Sequence, residues 1–107
     1  MFIKYDEYEL LELFESEPIA ISDKEAGMFI YTKTDKNSVK IVLSISVYER
    51  ECILSLSLKE RLLFEIQLNR VEYLASENKC LRIHQSNSTH EHLIHFEPSI
   101  FIKADIK

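Results

Sequence analysis

The stretch that decides the fold runs from residue 39 to residue 68: VKIVLSISVY (39–48), ERE (49–51), CILSLSL (52–58), KER (59–61) and LLFEIQL (62–68). Apolar side chains recur at every second position. Val39, Ile41, Leu43, Ile45 and Val47 are followed by Cys52, Leu54, Leu56 and Leu58, then by Leu62, Phe64, Ile66 and Leu68. Lys40, Ser44, Ser46, Ser55, Ser57, Glu65 and Gln67 fall between them. A strand turns successive side chains to opposite faces, so this alternation reads as three antiparallel strands with one face on a core and one in water. Their outward positions carry serines and charges rather than a reaction centre.

The same reading extends in both directions. Upstream, Met28 to Thr34 forms a strand that turns through Asp35-Lys36-Asn37-Ser38 into the strand at Val39. Downstream, Val71 to Leu74 is short and extended, Ser76 to Lys79 turns, and Cys80 to Gln85 is a strand. Asn87-Ser88-Thr89 turns into His90 to Glu97, and Ile100 to Ile106 closes the chain as a last strand. Before all of them, Asp6 to Ser16 reads as a helix of strong formers, ended near Glu17-Pro18 because the residue before a proline leaves the helical region. The expected fold is α+β and mostly antiparallel β: one N-terminal helix packed on a strongly curved seven- to eight-stranded meander. It is expected to be one domain over residues 1–107.

Composition narrows the function classes. With 18 acidic and 13 basic residues the formal net charge is −5, the wrong sign for phosphate neutralisation. Neither a nucleic-acid nor an anionic-membrane partner is expected, whereas a basic protein suits the charge. Phe2-Ile3 runs directly into Lys4-Tyr5-Asp6, and no apolar run approaches the ~20 residues of a membrane span, so the expected location is cytoplasmic. Cys52 and Cys80, the two cysteines, are expected as free thiols, with Cys52 in the core.

Motifs of catalysis are missing: there is no nucleophile elbow, phosphate-binding glycine loop or H-E-x-x-H helix, so no enzyme and no cofactor are expected. His84, His90 and His92 on neighbouring strands could supply three zinc positions, but rim histidines without a metal are the preferred reading. The helix offers a better site. Asp6, Glu7, Glu9, Glu12, Glu15 and Glu17 crowd its length, with Tyr5 and Tyr8 among them and Leu10, Leu11, Leu13 and Phe14 gathered opposite. Tyrosine adds contact area with little entropy loss, and carboxylates steer a cationic partner. The expected partner-binding residues are therefore Tyr5, Asp6, Tyr8, Glu9, Glu12 and Glu15. The outward serines, Lys40 and Tyr48 form a second candidate face, which Val42 and Ile53 also share.

From Leu62 the chain reads L-L-F-E-I-Q-L-N-R-V-E-Y-L, then C-L-R-I-H and H-L-I-H-F-E-P-S-I-F-I-K-A. This order of strand types resembles small bacterial immunity proteins, the antidotes encoded beside contact-dependent polymorphic toxins. In the family pattern a glycine follows the serine, whereas Ile100 follows Ser99 here. The resemblance implies a stoichiometric inhibitor that occludes a cognate toxin, commonly a nuclease with a basic cleft. The alternative is a structural module that self-associates through strand edges.

Overall fold

The computed structural model describes residues 2–86, 91–97 and 99–103, so the Asn87-Ser88-Thr89 turn, His90 and the end of the last expected strand lie outside the described residues. Asp6 opens the helix α1 (Glu7–Phe14): its carboxylate accepts the Tyr8 N–H at 2.8 Å, satisfying one of the donors a helix start leaves over. Glu15, in the left-handed region at φ 57°, closes the helix by donating its N–H to the Leu11 carbonyl at 2.8 Å. The end thus comes before Pro18, at a C-cap rather than at the proline.

Nine strands follow among the described residues: β1 (Ile19–Ala20), β2 (Met28–Thr34), β3 (Val39–Ser46), β4 (Glu51–Leu58), β5 (Arg61–Leu68), β6 (Val71–Glu77), β7 (Cys80–Gln85), β8 (Glu91–His95) and β9 (Phe101–Lys103). Each pairs antiparallel with its sequence neighbour, except that the meander breaks once. β1 to β5 form one sheet and β6 to β9 a second. The α+β class and the meander hold, with the curvature expressed as this split. It falls at Asn69-Arg70, where Arg70 takes φ 53°. A short 3-10 turn (Lys24–Ala26) and β1 add elements not expected from the sequence.

The core lies between the sheets. Tyr31, Leu43 and Leu54 stand in register across the first sheet, and Ile45, Cys52 and Leu68 form the next row. Leu74, Leu81, Ile83 and Ile94 face them from the second sheet, and Leu10, Leu13 and Phe14 seal one side from the helix. Phe14 joins all three layers, with its ring centroid 5.3 Å from Tyr31 and 5.0 Å, edge-on, from Phe96. The N-terminal segment stitches the sheets together: the Ile3 N–H meets the Val47 carbonyl at 2.9 Å, and Lys4 bridges in parallel to Tyr73.

One expectation fails at β5. Leu62 and Phe64 were expected in the core beside Leu68, yet they are 59% and 39% exposed. A bulge opposite Leu56 and Ser57 shifts the alternation, so that Leu62 pairs with Ser57 of the outer face. Among the described residues the strand is also the sheet's edge, with a neighbour on one side alone.

Candidate functional site

The helix separates the expected contact residues into engaged and open ones. Asp6 is occupied as the cap, and Glu15 is paired with Lys33, which lowers the Glu15 carboxyl below its ordinary range. Glu9 accepts the Ser76 N–H at 3.0 Å, tying α1 to β6. Tyr5 is half-buried against the core, and burial, then the nearby Glu7 charge, raise its hydroxyl pKa. Tyr8 and Glu12 project outward, Tyr8 being 79% exposed. The six residues therefore do not form one equivalent face. Tyr8 and Glu12 are available to a partner, while Asp6, Glu9 and Glu15 hold the helix in place.

Beside the helix N-terminus runs a trough that the sequence reading did not identify. Two clefts, each of about 590 Å³, meet along Tyr5, Glu7 and Phe29. One continues past Phe2 and Gly27 to Tyr48; the other passes Tyr8 to Glu17 and Pro18. Phe2 and Tyr48 are 55% and 63% exposed, so the trough has aromatic rims, and the Glu7 carboxylate lies where its two clefts meet. Its parts are far apart in sequence and meet because the β2–β3 register sets Met28 opposite Ser46, placing Gly27 beside Val47 and Tyr48. The signal available beforehand was the single glycine of the chain, at the entrance to a strand.

The outer face of the first sheet carries Ile30, Val42, Ser44, Ser55 and Ile53, with Ile53 40% exposed. On the outer face of the second sheet a polar group gathers around Glu91. Its carboxylate accepts the Tyr73 hydroxyl at 2.5 Å and Arg82 Nη2 and Nε at 2.6 and 3.1 Å, and Arg82 also reaches Glu77. The Tyr73 bond and then Arg82 hold Glu91 below the usual carboxylate range. His84 stacks on Tyr73 at 4.9 Å, its Nδ1 4.0 Å from Glu91. This set reads as a cross-strand clamp on β6, β7 and β8.

His84 and His92, among the described residues, do not converge. His84 stands opposite Glu91 and His92 opposite Ile83, so the two occupy opposite faces of their hairpin. His92 Nε2 lies 3.1 Å from Gln85 Oε1, and burial lowers its pKa. Among the described residues no group of three or more His, Cys, Asp or Glu side chains is placed to hold a metal, and no helix is long and apolar enough to cross a membrane.

No protein-family model and no curated protein sequence matches the chain. Among solved structures, a chain of a contact-dependent growth inhibition toxin–immunity protein complex from Klebsiella pneumoniae 342 shares its fold with a TM-score of 0.77 and 26% sequence identity. The match spans 96% of this chain and 96% of that one. The resemblance to immunity proteins holds. It was read in the sequence from the strands after Leu62, and in three dimensions it takes in the helix and both sheets.

Proposed function

We propose that this protein is an immunity protein, which binds a cognate bacterial toxin domain one-to-one and neutralises it by occluding its active site. The observation that carries the reading is the whole-chain likeness to a member of a toxin–immunity complex. Charge supports it: a protein of net charge −5 is drawn to a basic cleft of the kind that nuclease toxins carry. Tyr8 and Glu12 on the helix, beside the trough and its Glu7, are the contact surface. The protein contributes no catalytic residue; it acts by exclusion.

The test is retrieval of the tagged protein from its native host with mass spectrometry of its companions, followed by co-expression. A stoichiometric partner whose expression alone arrests growth, and whose toxicity this protein relieves, is the expected result. Recovery of the protein alone, as a defined oligomer, would overturn the reading. That outcome would favour self-association along β5, an edge strand among the described residues, where Leu62, Leu63 and Phe64 are exposed.

A further inference from the structure

Gly27 and Tyr48 form a built shelf. Gly27 has φ +70°, and its carbonyl accepts the Val47 N–H at 2.8 Å. A methyl group there would lie 2.7 and 2.8 Å from Cε2 and Cδ2 of Tyr48, so the ring rests directly on the glycine. The chain's single glycine is therefore spent on seating one exposed aromatic ring at the rim of the trough. A ring held against the glycine and 63% open to solvent presents aromatic surface to a partner.

The trough also carries a carboxylate, Glu7, where its two clefts meet. Among the described residues, Glu7, Glu17 and Lys4 are the charged side chains that line it. The positive end of the helix is already met by the Asp6 cap. Tyr31 lies beneath it, and burial, with smaller contributions from Tyr5 and Glu7, raises its hydroxyl pKa above the ordinary tyrosine value. An aromatic ring and a carboxylate lining one cleft make an environment that a guanidinium fills well. It is planar, weakly hydrated and always charged, whereas an ammonium holds its water more tightly.

We infer that the trough receives an arginine side chain of the protein partner, with its guanidinium laid on the Tyr48 ring and its charge met by Glu7. The inference rests on the proposed function for the identity of the partner, and on Gly27, Tyr48 and Glu7 for the chemistry. Specificity lies in the shelf: lysine meets the charge but does not stack as a plane.

A test free of any toxin uses acetyl-Gly-Arg-Gly-amide and its citrulline analogue, a neutral isostere, titrated into the isotope-labelled protein and followed by amide chemical shifts. The expected result is saturable shifts centred on Gly27, Tyr48 and Tyr5 with the arginine peptide, and binding about tenfold weaker or less with citrulline. Tyr48→Ala and Glu7→Gln should each weaken the arginine response, while Tyr48→Phe keeps it. Equal responses to the two peptides, no saturable response, or undiminished binding by Tyr48→Ala overturns the inference. The immunity reading is tested separately by capture and growth rescue, so either can fail alone.

Discussion

The Glu9 carboxylate holds the Ser76 N–H at 3.0 Å, joining residues 67 positions apart and fastening the helix to the second sheet. An acid that resembled a steering charge in the sequence is thereby a structural tie, and its neighbour Glu12 is left to face outward.

Glu9 and Glu12 should separate in experiment. Glu9→Ala is expected to lower stability by about 1 kcal/mol, the net value of one hydrogen bond, and Glu12→Ala by less than about 0.5 kcal/mol. Glu12→Lys should slow association with the proposed toxin partner at low salt while leaving the urea midpoint in place. Urea denaturation and stopped-flow binding make the comparison. Equal loss of stability in both alanine variants would remove the tie from Glu9.

Leu43 and Leu62 test the faces of the first sheet. Leu43 is fully buried, and Leu43→Asp sets an unpaired charge in the core at a cost of several kcal/mol, enough to unfold a domain of ordinary stability. Leu62, displaced by the bulge, should tolerate aspartate within about 0.5 kcal/mol. Circular dichroism melts of the two variants give the answer; a matching collapse would mean that Leu62 belongs to the core.

Acid should weaken the fold through two carboxylates. Glu91 is lowered by the Tyr73 bond and then by Arg82. Burial alone would raise Asp35, but the N–H groups of Ile100, Val39 and Asn37 outweigh it and hold it low. A folded pKa below the unfolded one contributes stability above the ordinary carboxylate range, and that stability is lost as pH falls through it, here below about pH 4. Stability measured in urea from pH 7 to about pH 3 should therefore drop. Glu91→Gln should be weaker at pH 7 and show a shallower fall. A parallel curve would exclude Glu91 as a source of the loss.

Both thiols should be silent in the native state. Burial pushes Cys52 up to about 12, and Cys80 is raised by burial as well. The nucleophile is the thiolate, so a disulfide reagent at neutral pH should label each cysteine slowly, at the rate of local opening, and rapidly in urea. Prompt labelling of the folded protein would show a thiol exposed to solvent.

The strands from Met28 to Leu68 were legible because each carries its own alternation, and the first helix because Asp6 precedes a dense leucine stripe. Phase within β5 was not legible: alternation marks a strand but not its bulge, nor whether a neighbour stands on both sides. The tight hairpin corners were equally quiet. Lys59-Glu60 and Asn78-Lys79 take positive φ without any glycine, although such corners usually announce themselves through one. The split at Arg70 lacks a sequence marker for the same reason. Within the candidate site, the acidic and aromatic character of the helix could be read directly. The trough could not, because Phe2, Gly27 and Tyr48 meet through strand register and the N-terminal stitch.

That stitch has a consequence for the order of events during synthesis. The Lys4 N–H donates to the Glu72 carbonyl at 3.1 Å, and the Lys4 carbonyl accepts the Leu74 N–H at 3.0 Å. Lys4 leaves the ribosome well before β6 and thus waits for partners that emerge much later, and the loop it closes is long. The first sheet can zip up strand by strand as it appears, but Ile41, Leu43 and Ile45 keep an open apolar face until the second sheet arrives and the N-terminus latches across. The nascent chain is at its stickiest just before that latch closes.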